Sequence, residues 1–301
     1  MHIDKLLDGL SKNKIEYKLG EPMCEHTTFK IGGNADVFVS VKSENELKTV
    51  LKLSKQNEVP HFVLGRGSNI LVSDSGIEGL VISLDALNDI AVEDDTVACG
   101  AGANLKNVCL AARDFSLSGL EFAYGIPGSV GGAIYMNAGA YGGEMSQVVQ
   151  SAVAYDSNGN KKTFNAEQMK LGYRTSAFKN TGLIITSVRL KLKHGDVVEI
   201  KAAMDDFLNR RREKQPLEYP SAGSTFKRPE GYFAGALIEK NNLKGVYVGG
   251  AQVSEKHAGF VINTGGASSR DVLTLIKKVQ DTVKKADGVD LEPEVIFVGR
   301  E

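Results

Sequence analysis

The sequence contains no tryptophan and only three cysteines, Cys24, Cys99 and Cys109. Their number is odd, and no two of them have the spacing of a zinc site or a redox pair. None of the five histidines adds metal-ligand spacing. We therefore expect reduced, mostly buried thiols, no metal centre and a cytoplasmic protein.

An excess of charge of either sign is also missing. The 36 lysines and arginines nearly balance 37 aspartates and glutamates, which leaves a net charge of −1. Such a balance predicts no attraction to nucleic acid or to an anionic membrane surface. No apolar run reaches the roughly 20 residues that cross a bilayer, and the first residues lack the apolar segment of a secretory signal. We expect a monomer or a weak homo-oligomer.

What the 301 residues do contain is typical of a globular chain of two or three domains, with 42% hydrophobic and 24% charged residues. Helical and strand patterns are mixed along it, which predicts an α+β class. Helices are predicted around Ile3–Leu10, after a capping box at Ser43 and Glu46, from Asn104 to about Arg113, and over Val198–Arg212, Ala234–Lys240 and Ser268–Ala286. Strands are predicted at Val37–Val41, Phe62–Leu64, Ile70–Val72, Leu80–Leu84, Thr96–Cys99, Ser151–Tyr155, Lys162–Phe164, Leu183–Lys193, Gly245–Val248, Gly259–Ile262 and Val289–Val298.

Glycine is concentrated in the stretch Gly125–Gly143, where seven of nineteen residues are glycine. Glycine adds no side chain to a core, so this density indicates close approach of main chain to another group or positive φ at several points. Peptide N–H groups in such a loop can converge on one anion, as in phosphate-binding nests. A run of tight turns is the structural alternative.

A second glycine turn, Gly65–Asp74, follows a predicted strand. It lacks the Gly-x-Gly-x-x-Gly helix entry of a dinucleotide-binding Rossmann unit and the Gly-Lys-Ser/Thr ending of a P-loop. Gly67, Ser68 and Asn69 can nevertheless supply N–H and hydroxyl donors to a pyrophosphate. The plain alternative is a β-hairpin turn.

Five motifs, in order along the chain, carry a resemblance to a known family. They are Thr28-Phe-Lys-Ile-Gly-Gly33, Gly65-Arg-Gly-Ser-Asn69, Gly125-Ile-Pro-Gly-Ser-Val-Gly-Gly132 with Asn137-Ala-Gly-Ala-Tyr-Gly142, Tyr173-Arg-Thr-Ser-Ala-Phe178, and Ala222-Gly-Ser-Thr-Phe226, with Leu291-Glu-Pro-Glu-Val295 completing the set. Together they resemble the UDP-N-acetylenolpyruvoylglucosamine reductases. The short interval between Arg174 and Ser224 resembles the subclass without an additional tyrosine-bearing substrate loop.

The resemblance implies an α+β protein of three parts. Two α+β subdomains, at residues 1–84 and 85–199, would build an FAD-binding fold of the vanillyl-alcohol-oxidase type. A C-terminal α+β domain at 200–301 would bind the UDP-sugar, and its last strand would return to the active site.

The resemblance also implies a reaction, the reduction of UDP-N-acetylglucosamine enolpyruvate to UDP-N-acetylmuramate in peptidoglycan precursor synthesis. FAD, bound noncovalently, would take hydride from NADPH and deliver it from flavin N5. Two alternatives stay open at this point: an FAD oxidase of the same fold, and a non-catalytic nucleotide-binding regulator.

Site residues follow from the matching motifs. For catalysis, the resemblance implies that Arg174 clamps the substrate carboxylate, that Glu294 helps to stabilise the enolate, and that Ser224 donates the proton, with Lys227 or Arg174 as the cationic neighbour of the resulting alkoxide. The implied cofactor-binding residues are Gly65, Arg66, Gly67, Ser68, Asn69, Ile126, Pro127, Gly128, Ser129, Gly131, Gly132, Asn137 and Gly139. The implied substrate-binding residues are Lys214, Gly223, Lys227, Arg228 and His257.

Some of these residues have an ordinary structural interpretation as well. The basic run Arg210–Lys214 suits the C-terminal end of a helix, where cations favour the macrodipole, and it also suits a phosphate. Arg228 departs from the Lys-Asn-Pro pattern that is frequent in the family, so an asparagine contact to a substrate amide is replaced here by a cation that can meet a phosphate.

Overall fold

The computed structural model describes residues 1–300, which form two compact units. The first unit comprises Met1–Leu19, Val37–Arg66 and Gly79–Arg210. The second comprises Gly20–Asp36, Gly67–Glu78 and the chain from Arg211 onward. Each unit has its own hydrophobic core.

The described residues contain seven α-helices and nineteen strands. The helices are α1 Ile3–Lys12, α2 Glu44–Gln56, α3 Leu105–Asp114, α4 Val130–Met136, α5 Val197–Lys214, α6 Ala234–Lys240 and α7 Ser269–Asp287. The strands are β1 Lys18–Pro22, β2 Asn34–Ser40, β3 His61–Leu64, β4 Ile70–Val72, β5 Ile77–Ser83, β6 Ile90–Glu93, β7 Thr96–Gly100, β8 Leu117–Ser118, β9 Gly139–Ala140, β10 Gly143–Glu144, β11 Val149–Tyr155, β12 Lys161–Asn165, β13 Ile184–Lys191, β14 Lys193–His194, β15 Ser221–Ser224, β16 Tyr247–Val248, β17 Ala251–Val253, β18 Phe260–Asn263 and β19 Ile296–Val298.

The first unit is built on a five-stranded antiparallel sheet in the order β12-β11-β13-β7-β6. The alternation in β13 buries Val188 and Leu190 on one face, while Arg189 and Lys191 point to solvent. β3 and β5 pair in parallel in a four-stranded sheet of order β1-β2-β5-β3. The glycine-rich stretch and the Arg174 turn both belong to this unit.

The second unit is built on an antiparallel sheet in the order β15-β18-β17-β16, with the apolar stripe of α7 in its core. Val272, Leu275 and Val279 of that stripe are fully buried, as their helical spacing predicts. The strands β4 and β19 pair in parallel, from Ile70 opposite Ile296 to Val72 opposite Val298. This pairing places the Gly67–Asn69 segment beside Glu294.

Helix ends follow their sequence signals closely. Asn104 caps α3 by accepting the Lys106 N–H at 2.9 Å, and α7 lies between a Ser268–Asp271 capping box and Gly288 with φ of 71°. Ser43 caps α2 as predicted, although Glu46 reaches back to the N–H of Lys42, one residue before the cap.

Two predictions were wrong. The strand predicted over Val289–Val298 is limited to β19, because Pro293 has no N–H for a continuous ladder and forms only an isolated bridge with Phe226. The glycine-rich stretch is not entirely loop, since it contains the short helix α4, which Ser129 caps.

Within residues 1–300, no helix combines the length and the apolar character of a membrane span. The same residues contain no group of three or more His, Cys, Asp or Glu side chains placed to hold a metal ion.

Candidate functional site

The glycine-rich stretch is packed closely against neighbouring parts of the first unit. A Cβ at Gly131 would lie 2.7 Å from the Cβ of Ala101, and one at Gly65 would lie 2.6 Å from Oγ of Ser129. Ser129 in turn accepts the N–H of Gly132 at 3.4 Å. At these two positions glycine is therefore required by close approach.

Several N–H groups of the stretch are already used within the first unit. Those of Gly128, Val130 and Gly131 donate to the carbonyls of Ile126, Ala103 and Ala101, at 2.8 to 2.9 Å. This part of the stretch is held by ordinary hydrogen bonds, and its predicted contact with a cofactor stays a prediction. Gly139, another predicted cofactor residue, lies in β9, which pairs with β10.

The segment Gly67–Asn69 in the second unit is different. Among the described residues, no protein acceptor receives the N–H groups of Gly67, Ser68 or Asn69, although Gly67 is buried. Gly67 has φ of 59°, and a Cβ there would collide with the carbonyl of His26. Consecutive unpaired N–H groups around a positive-φ glycine form the concave donor set that binds anions.

Arg174 lies in a two-residue turn of the first unit. Gly172 and Thr175 close that turn with two backbone hydrogen bonds of 3.1 and 3.2 Å. Arg174 itself has φ of 54°, a left-handed conformation that is uncommon for a side chain of this size, and its guanidinium carbon lies 5.2 Å from the ring centroid of Tyr173. Backbone strain of this kind occurs preferentially at functional positions.

Ser224 and Glu294 are brought close together in the second unit. Ser224 ends β15 opposite Phe260, and the N–H of Glu294 donates to the carbonyl of Thr225 at 2.8 Å. Asn69 also binds the segment that carries Glu294. Its Nδ2 donates to the Glu294 carbonyl at 3.1 Å, and its own carbonyl accepts the Ile296 N–H at 3.0 Å. The Ser224 side chain is exposed, whereas Glu294 is half-buried.

The two cations after Ser224 are both engaged. The Lys227 ammonium forms an ion pair with Glu292, and its backbone N–H donates to the Glu292 carbonyl at 2.8 Å. The Arg228 guanidinium carbon lies over the Phe233 ring, 4.1 Å from its centroid, and Phe233 is 62% exposed. Gly223, next to Ser224, has φ of 78° with open space where a Cβ would point.

His257 is a partly buried side chain. Burial lowers its pKa, and its Nδ1 accepts the N–H of Gly259 at 3.1 Å. The ring meets Phe260 edge to face at 4.9 Å. A polar contact to substrate would therefore have to use Nε2. Lys214, the last residue of α5, is exposed, and its predicted phosphate contact is untested by this geometry.

The sequence analysis did not predict two supporting contacts, made by residues that it had named for other reasons. Asp74, the end of the second glycine motif, caps α7 by accepting the N–H and the hydroxyl of Ser269, each at 2.8 Å. Asn137 is almost fully buried and contacts the backbone of the Arg174 turn. Local pattern carried no signal for either contact, because the partners lie 195 and 35 residues away.

Comparison with known proteins adds family evidence to this geometry. Residues 35–165 match a family described as FAD binding domain, and residues 215–298 match the C-terminal domain of UDP-N-acetylenolpyruvoylglucosamine reductase. Together with the α+β fold, these matches define an FAD-dependent oxidoreductase.

The full-length comparisons are more specific. The chain is 50% identical to the UDP-N-acetylenolpyruvoylglucosamine reductase of Clostridium perfringens strain SM101, covering 100% of this chain and 99% of that protein. The enzyme of that name from Clostridium novyi strain NT is also 50% identical, over 99% and 97% of the two chains. The crystal structure of the reductase from Thermus caldophilus matches with a TM-score of 0.80 and 36% identity, covering 94% of this chain and 98% of that one. The chain belongs to the UDP-N-acetylenolpyruvoylglucosamine reductase family, as its motifs predict.

Proposed function

We propose that this protein reduces the enolpyruvyl group of UDP-N-acetylglucosamine enolpyruvate to give UDP-N-acetylmuramate, a peptidoglycan precursor. Membership of the family supports the reaction. The observation that carries the catalytic assignment is the placement of Ser224 and Glu294 on adjacent segments, joined by the 2.8 Å bond from the Glu294 N–H to the Thr225 carbonyl. A proton donor and a carboxyl group on adjacent backbone segments suit a reaction in which an enolate forms and is then protonated.

FAD supplies the redox chemistry: when bound, it takes a hydride from NADPH and passes it to the substrate alkene. The N–H groups of Gly67, Ser68 and Asn69, which have no acceptor within residues 1–300, are the donors we assign to its pyrophosphate.

Arg174 has the role of binding the substrate carboxylate. A guanidinium stays charged at every relevant pH and can hold a carboxylate through two parallel hydrogen bonds. Negative charge grows on that carboxylate as the enolate forms, so the same contact is stronger in the transition state than in the ground state. The left-handed backbone of Arg174 fixes the direction in which the side chain leaves the turn.

Ser224 has the role of proton donor to the carbon beside the carboxylate. Its exposed hydroxyl on β15 is accessible to a ligand, and Glu294, on the adjacent segment, would have to be protonated to stabilise the enolate. Lys227 is a weaker candidate than predicted for balancing the serine alkoxide, because its ammonium is already paired with Glu292. Arg228, whose guanidinium carbon lies 4.1 Å from the ring centroid of Phe233, is the cation we assign to a phosphate of the nucleotide.

We further propose that the protein works in the cytoplasm as a monomer or weak homo-oligomer, with the UDP-sugar and NADPH as its small-molecule partners. Three free cysteines, two of them buried, suit a reducing compartment. The division into three domains at residues 84 and 199 also stays a prediction.

Anaerobic titration of the purified protein tests the reaction. NADPH should bleach the visible absorbance of the flavin, and addition of the enolpyruvyl sugar should restore it with stoichiometric formation of the saturated product. Bleaching that only oxygen reverses would contradict the proposal and favour an oxidase. Protein without releasable FAD would contradict it in favour of a binding protein.

A further inference from the structure

Asn137 occupies a position that few residue types tolerate. It is the residue after α4, with φ of 43° and ψ of 58°, and it is 1% exposed. Asparagine, aspartate and glycine are the residues that most readily adopt this left-handed conformation. A buried amide at such a point must also find partners for its polar atoms.

Both ends of the Asn137 amide are used within the first unit. Its Oδ1 accepts the N–H of Ser146 at 2.9 Å, and its Nδ2 donates to the carbonyl of Gly172 at 3.1 Å. The first bond ties the side chain to Ser146, three residues after the glycine-rich stretch. The second ties it to the first residue of the turn that carries Arg174.

The Arg174 turn has a second tether to the same helix. Oγ of Ser176, two residues after Arg174, donates to the carbonyl of Tyr135 at 2.8 Å. The turn is thus held on both sides by residues at the C-terminal end of α4. Its left-handed Arg174 is a conformation that persists only when surrounding contacts impose it.

We infer that Asn137 is a positioning residue for Arg174. This inference rests on the carboxylate-binding role of Arg174 in the proposed function, and it replaces a direct cofactor contact by the Asn137 side chain. The amide connects the glycine-rich stretch to the arginine turn, so that α4 and the carboxylate clamp keep one geometry. The contribution of Asn137 to turnover is made through Arg174 alone.

Two substitutions test this inference without disturbing the left-handed backbone, Asn137→Asp and Asn137→Gly. Each removes the donor to the Gly172 carbonyl. In anaerobic stopped-flow, flavin reduction by NADPH should change less than about twofold, while reoxidation by saturating enolpyruvyl sugar should slow roughly 10- to 100-fold, the cost typical of a misplaced catalytic group. Ser176→Ala, which removes the second tether, should slow the same step.

The double variant Asn137→Asp/Arg174→Ala distinguishes a role of Asn137 through Arg174 from a general loss of structure. If Asn137 acts through Arg174, the double variant reoxidises no more slowly than Arg174→Ala alone. Ser54→Ala, which removes a similarly buried hydrogen bond on α2, serves as the matched control and should leave both steps near the native rates.

Additive losses of the reoxidation rate in the double variant would overturn the inference. Loss of FAD from the Asn137 variants would also overturn it, and so would slower flavin reduction by NADPH combined with normal reoxidation. Normal reoxidation in Asn137→Asp beside a slow Arg174→Ala would overturn the inference and leave the proposed function standing. Normal reoxidation in Arg174→Ala would overturn both. If neither substitution at 137 gives folded protein, the rate of Ser176→Ala and its double variant with Arg174→Ala decide in the same way.

Discussion

At the scale of single residues, the polar groups of this protein are arranged in small clusters that are nearly saturated with hydrogen bonds. Glu44 is a clear case in the first unit. Its carboxylate accepts from the hydroxyl of Tyr155 at 2.6 Å, from the ammonium of Lys161 at 3.0 Å and from the hydroxyl of Thr186 at 3.0 Å. Burial alone would raise the pKa of Glu44, but these three donors together outweigh it and lower the pKa below its ordinary 4.5.

Glu44→Gln tests this cluster. Since the folded-state pKa is lowered, the carboxylate stabilises the protein above its ordinary pKa, and that stabilisation is lost as pH falls through the folded-state value. At pH 7 we expect a loss of about 1 to 2 kcal/mol in the free energy of unfolding, the lower part of the range for hydrogen bonds to a charged group, because the Glu44 side chain is 34% exposed. Below pH 4 the difference in the free energy of unfolding between Glu44→Gln and the parent should become smaller. Urea unfolding at a series of pH values measures it.

The control for Glu44 is Glu16→Gln. Glu16 pairs with Lys42 at 2.7 Å, but its side chain is 82% exposed, and exposed pairs contribute little. Equal losses in the two variants, or a gap at Glu44 that widens in acid, would contradict the interpretation.

At the scale of elements, caps decide where helices begin and end. The N-terminus of α7 is capped twice, by its own Ser268 and by Asp74 from the second glycine motif. The Asp74 carboxylate accepts from the N–H of Ser269 at 2.8 Å and from that of Arg270 at 3.3 Å. Asp74 directly follows the β4 region, so this cap anchors the segment that also carries Asn69.

Asp74→Ala should lower the free energy of unfolding of the second unit by about 1 to 2 kcal/mol, because α7 loses a charged cap at its N-terminus. Urea unfolding followed by circular dichroism measures the change. Asp281→Ala, which removes only an exposed pair with Lys277 on the same helix, should stay within about 0.5 kcal/mol of the parent. An Asp74→Ala protein as stable as Asp281→Ala would show that the cap is dispensable.

How much of these elements the sequence predicts depends on how local the cause is. The apolar stripe of α7, its cap at Ser268 and its stop at Gly288 are all encoded within the helix, so its bounds are predicted to within a residue. The helix α4 is not predicted because Gly131 and Gly132 are poor helix formers. The reason for glycine at position 131 is its close contact with Ala101, thirty residues earlier, which the local sequence does not reveal. β19 is shorter than the predicted strand Val289–Val298 in part because its partner β4, more than 200 residues away, is itself only three residues long.

At the scale of the whole molecule, the chain returns to each unit several times. Gly20–Asp36 and Gly67–Glu78 belong to the second unit with the C-terminal third of the chain. The residue pattern within these two segments does not predict that they belong to the second unit. Their membership depends on long-range pairings, such as β4 with β19 and Thr28 with Ser221. The ordered motif set, by contrast, predicts the family and the α+β class, since it samples nearly the full length of the chain.

The same limit applies to the candidate site. Sequence motifs name Arg174, Ser224 and Glu294, yet only the fold reveals that Asn69 holds the Glu294 carbonyl and that Lys227 is paired with Glu292. Asn137 was predicted by its motif as a cofactor residue, whereas its hydrogen bonds lead to the Arg174 turn. Residue roles that pass through a backbone contact cannot be predicted from spacing.

The proton transfer from Ser224 is the central claim, and stopped-flow kinetics of Ser224→Ala tests it most directly, with Ser221→Ala on the same strand as the matched control. Reduction of the flavin by NADPH should proceed at the native rate in both variants. Reoxidation by the enolpyruvyl sugar should fall by about 10²-fold or more in Ser224→Ala, in line with the loss of a general acid, and stay near native in Ser221→Ala. Native reoxidation in Ser224→Ala would contradict the account, because the proton would then come from another group.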